Sequence, residues 1–156
     1  MKIRIPSLAL AVLLVSIGGV SAQSDRQPSA GVIPISVGGN PDRDVLSLNV
    51  TPTMNDGSTI YRLTVKDVPV DGFWEVTVYD SDGHFQKNEP YTQSSISAKK
   101  ARDGSIVVQF GGCNQVIRNC LTTMPGWNYV VRLYRPRPEV IDGVWTFPEA
   151  QAVTGD

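Results

Sequence analysis

Gly72-Phe-Trp-Glu-Val-Thr-Val-Tyr-Asp-Ser-Asp-Gly83 is the stretch on which the fold turns. Trp74, Val76 and Val78 alternate with Glu75 and Thr77, and Phe73 and Tyr79 share the phase of the polar set. A period of two is what a β-strand with one buried face requires. The run then meets Asp82-Gly83, and Gly accepts the positive φ of a tight turn at no steric cost.

The same pattern continues outward in both directions. Leu46, Leu48 and Val50 alternate with Ser47 and Asn49; Tyr61, Leu63 and Val65 alternate with Arg62 and Thr64. Ile106, Val108 and Phe110 repeat it, and Val131 and Leu133 flank Arg132. Four further Asp-Gly steps, at Asp56-Gly57, Asp71-Gly72, Asp103-Gly104 and Asp142-Gly143, punctuate these runs. With 14 Gly and 11 Pro in 156 residues, about one position in six favours a turn. No helix longer than about two turns is expected, and Ile96–Arg102 is the best short candidate. Pro136 and Pro138 cannot donate to a sheet ladder and so end the strand at Tyr129–Tyr134, and the last segment, Val144–Phe147, stops at Pro148. These features together predict an all-β fold: an antiparallel β-sandwich, jelly-roll-like, with tight Asp-Gly hairpin turns.

The ends set the domain organisation. Lys2 and Arg4, the apolar run Leu8–Val15 and the small residues Val20-Ser21-Ala22 have the layout of a secretory signal peptide over residues 1–22. Residues 23–39 read as a polar leader, partly disordered, residues 40–152 as a single β-sandwich domain and residues 153–156 as a tail. The apolar run is too short and too interrupted by Gly18 and Gly19 to span a bilayer, so no membrane span is expected after signal removal. The expected localisation is the periplasm or the medium. In that oxidising setting Cys113 and Cys120, spaced C-x6-C, are expected to form one disulfide. A redox pair would need C-x-x-C, and a zinc site two more soft ligands.

Four stretches also carry a family resemblance: Gly57-Ser-Thr-Ile-Tyr-Arg-Leu-Thr64, the Gly72–Gly83 stretch, Asp103-Gly-Ser-Ile-Val-Val-Gln-Phe110, and Arg132-Leu-Tyr-Arg-Pro136 followed by Val140-Ile-Asp-Gly-Val-Trp145. From about residue 40 to 152 the chain resembles a bacterial family known only as domain of unknown function 1214. The resemblance implies a jelly-roll-like β-sandwich and no activity. Two departures stand out. Thr92-Gln93-Ser94-Ser95-Ile96 replaces the family's Asn-Arg-Tyr-Ser-Ile, removing three side chains from any polar site there. Asn119-Cys120-Leu121-Thr122 stands where relatives tend to show Asn-Trp-Leu-Pro, so the disulfide replaces a tryptophan's packing. Many relatives carry an upstream domain, which residues 23–39 are too short to supply.

Composition narrows the function classes. A formal charge of −1 excludes a strongly basic nucleic-acid binder, and loss of Lys2 and Arg4 with the leader makes the remainder more acidic. His84 is the only histidine, so a Ser-His-Asp triad would have to use it; no G-x-S-x-G elbow accompanies it. Asp80-Ser-Asp82-Gly83 resembles the start of a calcium loop but lacks the later oxygen ligands. Glu75, Asp67 and Asp80 offer carboxylates that nothing in the sequence pairs for glycoside hydrolysis. Asn49-Val50-Thr51 is a sequon only by pattern, and Gly111-Gly112-Cys113 lacks the Lys and helix of a phosphate loop. The arginines Arg132, Arg135 and Arg137 read as a solvated edge.

Aromatic residues are the richer material. Trp74 and Trp145 are expected in the core, whereas Trp127, Tyr91, Tyr129, Tyr79 and His84 are the candidate ligand contacts. No catalytic residue, metal site or cofactor is assigned. The expected role is a non-enzymatic periplasmic module binding an unknown small molecule, glycan or protein. A periplasmic hydrolase and a subunit that assembles with a separate partner domain are the alternatives.

Overall fold

A computed structural model of the chain describes residues 33–34, 45–87, 89–114 and 116–154. The expected signal peptide and nearly all of the polar leader lie outside the described residues. Among the described residues no helix is long and apolar enough to cross a membrane.

Among the described residues, nine strands form two packed sheets. The strands are β1 (Ile33–Pro34), β2 (Val45–Val50), β3 (Tyr61–Val65), β4 (Trp74–Tyr79), β5 (Thr92–Ser94), β6 (Ile106–Phe110), β7 (Cys120–Leu121), β8 (Asn128–Tyr134) and β9 (Gln151–Ala152). One sheet has the order β1-β2-β8-β4-β5, the other β7-β6-β3-β9. Consecutive strands mostly switch sheets, as a jelly-roll-like sandwich requires. Every pairing is antiparallel except β6 with β7, which is parallel.

The alternation read from sequence sets the two faces. Leu46 lies opposite Leu133 and Leu48 opposite Val131, and Val131 pairs in turn with Val76. On the other sheet Leu63 lies opposite Val108 and Tyr61 opposite Phe110. Leu63, Val76, Val78, Val108, Phe110, Leu121, Val131 and Leu133 are fully buried. Each contributes about 1.5–3 kcal/mol by leaving water. Trp74 is buried, as expected; Trp145 packs at the core's margin, linked to Trp74 through Phe147 by edge-to-face contacts at 6.1 and 5.7 Å.

The turns differ in mechanism. Gly57 has φ +82°, and a Cβ there would meet the Met124 backbone at 2.6 Å, so both conformation and contact require glycine. The preceding Asp56 carboxylate accepts from the Thr59 and Ser58 amides, which hold its pKa down at about 2. At Asp71-Gly72 φ is not positive; instead a Cβ on Gly72 would strike the Tyr134 carbonyl at 2.6 Å. β4 and β5 are the one pair of consecutive strands that also pair with each other besides β1 with β2 and β6 with β7, and Asp82-Gly83 lies in their connection.

One local expectation is corrected. Ile96–Arg102 is not a helix: a single turn at Ser95–Ser97 closes with the Ala98 amide donating to the Ser94 carbonyl. Ser94, Ser95 and Ser97 bond to nearby backbone, which competes with helix continuation. The short helix instead is α1 (Pro138–Ile141), where Pro138 sits in the first turn with its fixed φ suited to the start. Pro136 does end β8, in an isolated bridge with Val70.

Cys113 and Cys120 are joined, with Cα atoms 5.6 Å apart. The bond closes the short connection that returns β6 to its parallel neighbour β7. Replacing both cysteines with serine is expected to lower stability by about 2.5 kcal/mol, the chain-entropy value for a loop of this size. Urea denaturation of the oxidised protein and the double variant checks this; equal midpoints would contradict it.

Candidate functional site

Outward-facing side chains of β4 and β8 meet on the exposed side of the five-stranded sheet. Glu75 lies directly opposite Arg132 in the register. Arg132 Nη1 is 3.4 Å from Glu75 Oε1, and Arg132 Nη2 donates to the Tyr79 hydroxyl at 3.0 Å. The Tyr134 hydroxyl donates to the same Glu75 oxygen at 3.0 Å. Arg132 thus reaches along the strand past the Val130–Thr77 pair. That accounts for the burial of Thr77 and Val130 although both belong to the outer face.

Charge in this cluster is balanced. Burial works against the Arg132 charge, but the Tyr79 hydroxyl, then Glu75 and Tyr134, outweigh it and hold the guanidinium above its ordinary pKa. Burial first, and the Glu75 carboxylate second, raise the Tyr134 hydroxyl, so it remains a donor. Both ion-pair partners are about one-quarter to one-third exposed, at 31% and 25%, so the pair is worth about 1 kcal/mol.

Aromatic rings extend the cluster at both ends. Phe73 stacks on Tyr134 with centroids 4.2 Å apart. At the other end Phe85 stacks on Tyr91 at 4.4 Å and meets Tyr79 edge-on at 6.3 Å. Phe85 comes from the turn after β4, and Asp80 shapes that turn. Its carboxylate accepts from the Asp82 and His84 amides at 3.0 and 2.8 Å, and Asn128 of β8 donates to its carbonyl. The Asp80-Ser-Asp82-Gly83 motif therefore caps a turn. Among the described residues no three His, Cys, Asp or Glu side chains gather as metal ligands.

Three of the five contacts expected from sequence meet here: Tyr79 and Tyr91, half-buried, and His84, exposed, with Nδ1 3.8 Å from Asp80. The other two are corrected. Trp127 and Tyr129 are fully buried. Trp127 stacks on Phe110 at 5.3 Å and meets Tyr61 edge-on, and its indole N–H has no acceptor among the described residues. The Tyr129 hydroxyl accepts from the Ala150 amide at 3.0 Å. Trp127 and Tyr129 share the phase of Val131 and Leu133, so the alternation itself points them inward. Arg132, Tyr134 and Glu75 were missed as site residues because their partners lie 53 to 59 positions away in sequence.

The molecule is thus an all-β sandwich with a polar and aromatic outer face on its larger sheet. The chain belongs to the family described as Protein of unknown function (DUF1214), whose match covers residues 51–138, more than half of its length. Among solved structures, it is similar to the VPA0106 protein from Vibrio parahaemolyticus, with a TM-score of 0.64 at 17% identity over 74% of this chain and 32% of that one. It is also similar to a putative uncharacterized protein from Burkholderia cenocepacia, with a TM-score of 0.59 at 17% identity over 78% of this chain and 34% of that one. These likenesses show the fold, and the chain spans about a third of the length of both structures. No curated protein matches it.

Burial, with a smaller push from Glu149 and against the Ala150 amide, raises the Tyr129 hydroxyl from 10.0 to about 12. The folded state therefore holds this proton more tightly than the unfolded chain does. Its stabilisation is complete below pH 10 and is lost as pH rises to about 12, a fall of about 2–3 kcal/mol. Urea midpoints between pH 8 and 12 should decline more steeply in the native protein than in Tyr129→Phe; parallel curves would contradict the assignment.

Proposed function

We propose that the protein is a non-enzymatic binding module and that the outer face of the five-stranded sheet takes a neutral, hydroxyl-rich ring ligand, a glycan. The observation that carries this reading is the Glu75–Arg132–Tyr79–Tyr134 network between two aromatic pairs on one exposed face. Sugar rings present apolar C–H faces and a rim of hydroxyls. Aromatic rings offer flat apolar contact to the faces, and a guanidinium and carboxylate fixed in place offer donors and acceptors to the rim. The pair needs little reorganisation on binding, because each charged group already has its partner. Glu75 engages Arg132 and Tyr134, which suits positioning better than acid catalysis.

The module works, in this reading, in the periplasm or outside the cell. The disulfide supports an oxidising compartment, and the leader composition supports export. A second reading draws on the greater length of the similar structures: the same face meets a partner domain. Tyr and Arg are the residues that dominate such interfaces.

Calorimetric titration of a panel of neutral cello-, chito- and malto-oligosaccharides tests the first reading. At least one series is expected to bind, with Tyr91→Ala and Arg132→Met each weakening it about tenfold or more while circular dichroism is unchanged. Trp127→Ala is expected to act on stability instead, by about 3–5 kcal/mol. Unchanged affinity in both outer-face variants would overturn the assignment. Stable co-sedimentation with a partner lost in the same variants, with no saccharide bound, would favour the second reading.

A further inference from the structure

The two sheets are unequal, and the mismatch opens a cavity remote from the outer face. On the inner side of β2, Leu46, Leu48 and Val50 continue the apolar layer of β8. The four-stranded sheet ends at β9, a strand of two residues, and residues 143–149, which lead from α1 to β9, cross that inner side without joining a sheet. Between them lies a cleft of about 490 Å³. Its walls include Leu46, Leu48, Val131, Val140 and Trp145, and Glu149 is the charged residue of the lining. Leu46, Leu48 and Trp145 are half-buried and pack against the core, so the cleft lies at the core's margin.

We propose that this cleft is a second binding site, for a small apolar molecule that carries a neutral or cationic end. The volume falls in the range of small-ligand sites, and apolar walls with few polar groups are their usual lining. A partly open cleft of this depth suits a chain or a ring rather than a flat protein surface. Glu149 supplies the selection at the end of the ligand. A carboxylate beside an apolar cleft attracts a cation and repels an anion. Its charge is also felt at Tyr129, whose hydroxyl it helps to hold protonated. The aromatic row Trp145–Phe147–Trp74 stiffens one wall. This site stands independently of the glycan reading, since no residue is shared between the two.

Titration calorimetry with hexyl-, octyl- and decyltrimethylammonium and with decanoate, each below its micelle concentration, tests the proposal. One saturable site per chain is expected, with affinity rising roughly fourfold for each added methylene. Decyltrimethylammonium should bind at least tenfold more tightly than decanoate, and Glu149→Gln should remove that preference while retaining the dependence on chain length. Leu48→Asp should abolish binding. Should that variant fail to fold, Leu46→Phe, which keeps the wall apolar but fills the space, should weaken binding tenfold or more. Arg132→Met should leave it unchanged, separating this site from the outer face. Absence of saturable binding, or binding untouched by both leucine variants, would overturn the proposal. So would self-association in sedimentation that Leu48→Asp disperses, because the cleft would then belong to a second copy of the chain.

Discussion

Six register pairs on each side lock β8 between β2 and β4, from Val50–Tyr129 to Val45–Tyr134 on one flank and from Tyr79–Asn128 to Trp74–Leu133 on the other. With its ladder satisfied on both sides, β8 cannot slip by one residue without turning every side chain over. That constraint divides its residues for good. Tyr129, Val131 and Leu133 enter the core with Trp127, and Arg132 and Tyr134 stand on the outer face. The hydrophobic layer therefore does more than stabilise the sandwich. It holds Arg132 opposite Glu75 and aims both at the same surface, which is the pre-organisation a binding site needs.

Inequality between the sheets has the complementary effect. Five strands face four, so the layer that β8 shares with β2 outruns its cover. An irregular segment with two aromatic residues, Trp145 and Phe147, closes the core there but leaves space beside β2. The disulfide acts at the opposite edge, where two-residue β7 is too short to hold itself in place by ladder bonds alone.

The five long strands were legible because apolar residues recur at every second position, and that period is a local signal. β1, β5, β7 and β9 were not, since two or three residues carry no period. The Ile96–Arg102 stretch lacked any signal separating a helix from a turn until the serines' backbone bonds were seen. In the candidate site, Tyr79, Tyr91 and His84, named from sequence as separate candidate contacts, lie on or beside the turn that follows β4. Trp127 was misread from its place beside Gly126 at a loop end, although its phase with Tyr129 pointed inward. The Glu75–Arg132 contact depends on which strands pair across more than fifty residues, and no local pattern encodes that choice.

Side-chain NMR during saccharide titration tests most directly whether β8 separates a binding face from a core. With the tightest-binding neutral oligosaccharide of the panel, the Arg132 Nε–H and the rings of Tyr79, Tyr91 and Tyr134 should shift with saturation, while the Trp127 indole N–H stays fixed. Shifts at Trp127 with silence at Arg132 and Tyr91 would contradict the account.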